Sequence, residues 1–143
     1  MKKLNKTAYH FTTSQKREWD EIMGLGLLND CKQRMGHPED FPSHSLYVSS
    51  GSTFCGGILF EHHGAILWIE TLWVDPSFRG RGLGKQLLEK TFHFVQHHQI
   101  KEIQLNTYFK EAYSFFLKMG FEEVALIPNW KWGLDCYLMR KQI

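Results

Sequence analysis

A chain of 143 residues that is 43% hydrophobic and 15% aromatic, with 11 Phe and 5 Trp, has apolar material for one packed core and is not disordered. Its 17 basic and 15 acidic residues are scattered, leaving a formal charge of +2 and no basic stripe of the kind that follows a nucleic-acid backbone. Cys31, Cys55 and Cys136 are odd in number, far apart and outside any CxxC pair. That pattern speaks against a disulfide framework and a zinc site and points to a reducing, cytoplasmic setting. Met1 to Lys6 carries three lysines with no apolar run behind them, so neither a signal peptide nor a membrane span is expected, and residues 1–143 read as one domain.

In chain order, a short strand is expected around Tyr9 to Thr12, then a helix from Ser14 to about Met35. Ser14 is placed to cap it, Trp19, Ile22, Met23, Leu27 and Cys31 recur near helical spacing, and Gly24 and Gly26 weaken or break it midway. His37 to Ser43, with two prolines and two acids, reads as a loop. Leu46 to Ser50, Thr53 to Glu61 and Ala65 to Val74 are separated by Gly51-Ser52 and His63-Gly64, which predicts an antiparallel meander. The third run is apolar on both faces, as in a central strand covered on both sides, and Asp75-Pro76 ends it.

From Gly82 to His98 the residues Leu83, Leu87, Leu88, Phe94 and Val95 mark a helix, and Glu102 to Thr107 alternates as a strand does. The two strands joined through that helix are expected to be parallel neighbours with a right-handed crossover. Ala112, Phe115, Phe116 and Met119 give a short amphipathic helix ended by Gly120, and strands near Glu122 to Ile127 and Leu134 to Arg140 complete the chain.

Chemistry concentrates in Arg79-Gly80-Arg81-Gly82-Leu83-Gly84-Lys85, between a strand and a helix. Glycines let the backbone approach an anion, helix-start N–H groups point at it, and the helix dipole favours its charge. A P-loop would need glycine at Arg79 and Ser or Thr at Gln86, and the dinucleotide fingerprint fails at Lys85 or Leu87, which leaves R-x-x-G-x-G from Arg79 to Gly84.

In this segment the chain resembles the GNAT acetyltransferases, whose acyl-CoA signature [Q/R]-x-x-G-x-[G/A] lies between a central strand and a helix. Leu72-Trp73-Val74-Asp75-Pro76 before it and Ala112 to Met119 followed by Gly120-Phe121 after it match the same family, so the resemblance runs from about Trp68 to Phe121. It implies an α/β (α+β) fold: a mixed, mostly antiparallel sheet of six to seven strands, its fourth and fifth strands parallel and splayed, flanked by helices. It further implies acetyl-CoA as acyl donor. The pantetheine arm would lie between Leu72, Trp73 and Val74 and, across the gap, Asn106 and Thr107, near Phe116. The pyrophosphate would rest on Arg79, Gly80, Arg81, Gly82, Leu83, Gly84 and Lys85. A strand N–H near Trp73 would stabilise the tetrahedral oxyanion.

Glu70 is the only charge in its strand, and related enzymes often carry a carboxylate there. Desolvated, it would take a proton from the attacking amine; its other role is a structural hydrogen bond. The family's usual Tyr before x-x-x-G-F is Phe116 here, which leaves Tyr113, or Tyr108, to protonate the departing sulfur. His62-His63 and His97-His98 read as structural or solvated residues with no metal. Trp130 and Trp132 read as core or interface aromatics, or as acceptor-pocket walls. Phe41 with Glu39 and Asp40 lies in a loop that borders the acceptor site in this fold. The activity implied is transfer of acetyl to an amine of a small molecule or peptide by direct attack, with a non-catalytic acyl-CoA-binding module or sensor as the alternative. No nucleic-acid or membrane partner is expected, and the protein would be a monomer or homodimer.

Overall fold

The computed structural model describes residues 9–35 and 42–143, and the chain divides into two compact units, Met1–Asp40 and Phe41–Ile143. The acids and Phe41 of the expected acceptor loop lie outside the described residues.

In the first unit, α1 (Arg17–Met35) starts three residues later than the sequence suggested. Ser14 does not cap it: its own N–H donates to Thr12 Oγ1 at 3.1 Å, and the first turn closes on Lys16 O, which accepts from Trp19 and Asp20 at 2.9 and 3.1 Å. The helix also runs unbroken through Gly24 and Gly26. Each glycine costs about 1 kcal/mol against alanine, whereas a proline would have removed a hydrogen bond as well. Glu18 and Asp20 in the first turn and Lys32 and Arg34 in the last suit the helix dipole. Tyr9 to Thr12 is not a strand, and the described residues of this unit offer no neighbouring strand to pair its backbone.

The second unit is a six-stranded sheet in the order β1-β2-β3-β4-β6-β5, with β1 (Ser43–Ser50), β2 (Thr53–His63), β3 (Ile66–Val74), β4 (Glu102–Thr107), β5 (Glu122–Lys131) and β6 (Leu134–Gln142). Every neighbouring pair is antiparallel except β3 with β4, the pair joined through α2 (Leu83–Gln96) as the crossover argument required. The final element is α3 (Lys110–Lys118), before β5.

One face of the sheet carries the core. Ile58 and Phe60 of β2, Leu67 and Ile69 of β3, Ile103 and Leu105 of β4 and Met139 of β6 pack with Leu87, Leu88 and Val95 of α2. Thr91, also buried, satisfies its hydroxyl by donating to Leu87 O at 3.0 Å. On the other face of β3, Ile66 is exposed and Trp68 half-buried within this unit. Leu88 is 0% exposed, and Leu88→Ala should cost about 2–5 kcal/mol in urea unfolding with the slope unchanged. A loss below about 1 kcal/mol would contradict this packing.

Several histidines gather at one end of the β1-β2 pair beside α2. His44 on β1 stacks on Phe60 and His62 at 5.4 and 5.5 Å between ring centroids, and His98 stacks on Phe94 at 3.8 Å. Burial, then His44, His98 and His63 in turn, hold His62 below the ordinary histidine value of about 6.5. A base held low in the folded state contributes stability that is complete above the unfolded pKa and is lost as pH falls through the folded one. Melting temperature is therefore expected to fall from pH 7 to pH 5 more steeply in the wild type than in His62→Gln. Parallel pH profiles would remove His62 as the cause.

Candidate active site

The parallel pair is short. Ile66, Leu67 and Trp68 of β3 oppose Glu102, Ile103 and Gln104 of β4, and pairing stops there although β3 continues to Val74 and β4 to Thr107. Each strand keeps its outer neighbour to the end, through Val74 with Gly56 on one side and Thr107 with Tyr137 on the other. The sheet therefore opens between β3 and β4, and the gap-facing backbone groups beyond Trp68 have no strand partner.

A register shift prepares the opening. Phe60 opposes Ile69 and Leu59 opposes Thr71, so Glu70 is the extra residue of a β-bulge. Before it, the odd-numbered Leu67 and Ile69 are core residues. After it, the even-numbered Leu72 and Val74 pack against the core and Trp73 turns outward, 42% exposed, to stack on Phe54 at 6.1 Å.

The gap forms a cleft of about 840 Å³ walled by Ile69 to Val74, by Leu105 to Phe109, by Arg79, and by Glu111, Ala112 and Phe116 of α3. Glu70 also lines a shallower cavity of about 440 Å³ on Trp68, Glu61, His63 and Gln104. Glu70 is exposed, which removes the desolvation expected to activate it.

Beyond Val74, Asp75 accepts from Ser77 N–H at 2.8 Å and, with Pro76, turns the chain into a 3₁₀ turn, Pro76–Phe78. Arg79 Nε donates to Val74 O at 2.8 Å, which ties the loop to the end of β3. Gly80 and Gly82 have φ of 74° and 77°, in the left-handed region that favours glycine, and Gly82 is the residue before α2 with no side-chain cap. Gln86 N–H is the one that reaches back to Gly82 O, at 3.0 Å, so the N–H groups of Leu83, Gly84 and Lys85 have no partner within the helix. Together with Val74, Phe78, Arg79, Gly80 and Phe115 they line a depression of about 280 Å³, and Arg79 borders both it and the cleft. Unpaired N–H groups, the positive end of a helix and a guanidinium fit a phosphate anion. Arg81 is held off the depression, over the Phe78 ring at 5.3 Å and donating to Ser77 O at 3.4 Å, while Lys85 leans toward Glu89 at 3.8 Å.

Of the residues singled out in the sequence, Glu70, Leu72, Trp73, Val74, Arg79, Asn106 and Phe116 meet at the cleft. Tyr113 does not. Its ring packs tilted against Tyr137 at 4.5 Å, and the hydrogen bond to Glu123, followed by burial, holds its phenol above the usual value of about 10. Tyr108 lines the cleft in its place, its Oη accepting from Asn106 Nδ2–H at 3.0 Å. Phe116 is buried and carries no hydroxyl. Trp130 and Trp132 are 47% and 92% exposed and belong neither to the core nor to the cleft. Among the described residues no group of three or more His, Cys, Asp or Glu side chains is arranged to hold a metal, and no helix is long and apolar enough to cross a membrane.

The acetyltransferase (GNAT) domain model matches residues 42–123, and the chain belongs to that family. The fold is similar to an acetyltransferase from Bacillus cereus ATCC 14579, with a TM-score of 0.77 and 21% identity over 94% of this chain and 98% of that one. An uncharacterized N-acetyltransferase of Methanocaldococcus jannaschii is 34% identical over 64 residues, 43% of this chain. The N-alpha-acetyltransferase RimI of Mycobacterium tuberculosis H37Rv is 30% identical over 111 residues, 68% of this chain. The matches span 28% and 66% of those relatives' own lengths.

Proposed function

We propose that this protein is an N-acetyltransferase that takes acetyl from acetyl-CoA and gives it to an amine of a small molecule or peptide. The observation that carries the reading is the opening of the sheet beyond Trp68 and Gln104, continuous through Arg79 with the helix-start loop. A pantetheine arm is a chain of amides, and the unpaired backbone edge of Thr71 to Val74 offers it strand-like hydrogen bonds. The loop N–H groups take the pyrophosphate, with Gly80 and Gly82 leaving the backbone accessible and Arg79 adding charge.

Chemically, the amine nitrogen attacks the thioester carbonyl carbon, the C–N bond forms, and the oxyanion is held by a β3 N–H near Trp73. The carbon–sulfur bond then breaks with its electron pair leaving on sulfur. One proton must leave nitrogen, and Glu70, at the bulge between the two cavities, is positioned to pass it to water. RimI, an N-alpha-acetyltransferase by name, supports a peptide amine as one acceptor class. The three unpaired cysteines fit the cytoplasm. A non-catalytic acyl-CoA-binding module stands as the second reading because Phe116 lacks a hydroxyl and Tyr113 is turned to Glu123.

Thiol release from acetyl-CoA across polyamines, amino acids, aminoglycosides and peptides tests the proposal. Amine-dependent release supports transfer; tight acetyl-CoA binding with no release on the whole panel replaces it with the binding module.

A further inference from the structure

Two histidines of α2 and its C-terminal cap meet across one helical turn. His93 and His97 are four residues apart, both exposed, and their Nε2 atoms approach to 3.3 Å. The rings do not stack: their planes cross at 77° with centroids 4.7 Å apart, so the two nitrogens converge edge to edge. His98, the sequence neighbour of His97, is turned away; its Nδ1 lies 2.9 Å from Phe94 O and its ring stacks on Phe94. Adjacent residues diverge on a helix, whereas residues four apart share a face. The converging pair is therefore His93-x-x-x-His97 and not the adjacent His97-His98.

We propose that His93 and His97 form a two-ligand site for a divalent transition-metal ion of the zinc class. Two imidazole nitrogens bound at about 2.0–2.1 Å to a tetrahedral ion stand about 3.3 Å apart, which is the separation the helix already sets. Both rings present the Nε2 lone pair and carry their proton on Nδ1, where water can accept it because the rings are exposed. The pair lies at the last turn of α2, whose end carries the partial negative charge of the helix dipole and favours a cation. Imidazole suits zinc, nickel and copper, whereas magnesium and calcium take oxygen ligands. Among the described residues no third His, Cys, Asp or Glu joins the two rings, so water completes the coordination. The rings help wall a cavity of about 850 Å³ between α2 and strands β1 and β2, where Glu89 and Lys90 bring opposite charges that offset each other. That cavity shares no wall residue with the cleft at β3 and β4, so the site stands whatever the cleft binds.

Zinc chloride titrated into the untagged protein, followed by calorimetry, tests the site. One ion per chain should bind, and His93→Ala and His97→Ala should each weaken it by at least about tenfold, the size already typical when only an outer partner of a metal ligand is lost. His98→Ala should leave binding in place, and magnesium should give no saturable heat. Zinc should also raise the melting temperature of the wild type by mass action and fail to raise that of either pair variant, a measurement that shows at the same time that each variant is folded. Equal zinc affinity in the wild type and both pair variants puts the ion elsewhere and overturns the site. A loss in only one of the two overturns the shared coordination, and an equal loss in His98→Ala overturns the choice of pair. A wild type that binds no zinc leaves His93 and His97 joined by a hydrogen bond alone and overturns the proposal.

Discussion

Gly82→Trp is expected to abolish acetyl-CoA binding in a protein that still folds. Gly82 holds φ at 77°, where a side chain costs roughly 1–2 kcal/mol, and an added Cβ would meet only the end of the Gln86 side chain at 3.9 Å. The stability cost is thus modest, while an indole placed immediately before Leu83 covers the N–H groups and the depression they line. Gly82→Ala carries the same backbone strain without the bulk and is the control: it should lose about 1 kcal/mol of stability and keep most of its affinity. Calorimetry showing undiminished acetyl-CoA affinity in folded Gly82→Trp would sink the assignment of this loop to the pyrophosphate.

For Glu70→Gln the expectation is a fall in kcat/KM of about a hundredfold, at the low end of the range for loss of a positioned base, with acetyl-CoA affinity unchanged. The low end follows from exposure: water reaches Glu70, so other bases can stand in for it. Rates against pH should lose their dependence on this carboxylate. A variant whose rate and pH profile match the wild type would leave Glu70 with a purely structural part at its bulge.

The β3-α2-β4 unit and the glycine loop could be read in the sequence because each rests on local signals: apolar periodicity, a strand-ending Asp75-Pro76, and glycines at positive φ. Tyr113 lies off the cleft for a geometric reason. Ala112 and Phe116, four residues apart, share the face of α3 that lines the cleft, and Tyr113 is rotated about 100° from Ala112 and about 60° from Phe116. That rotation was legible in the spacing. That Tyr108 and not Tyr113 lines the cleft was not legible, because it depends on where β4 parts from β3 and on Asn106 reaching Tyr108 and, across to β6, Cys136. The bulge at Glu70 and the histidine cluster were equally hidden, since both depend on registers between strands distant in the chain. The strand expected at Tyr9 to Thr12 failed where a short extended run has no neighbour among the described residues of its unit.

The change of phase at Glu70 makes β3 two segments with separate tasks. Up to Ile69 the strand answers to the α2 core, and past Thr71 it forms the rim of the cleft, with one unpaired residue absorbing the mismatch. Substitutions at Leu67 are thereby confined to stability, whereas those from Ile69 to Val74 alter the wall of the cleft. Such a division lets the outward Trp73 be changed without disturbing the α2 core, which its neighbours Leu72 and Val74 still touch. Removing Glu70 would bring Ile69 and Leu72 into ordinary alternation opposite Phe60 and Ile58, keeping the faces of both segments but abolishing the local bend that a bulge gives a strand.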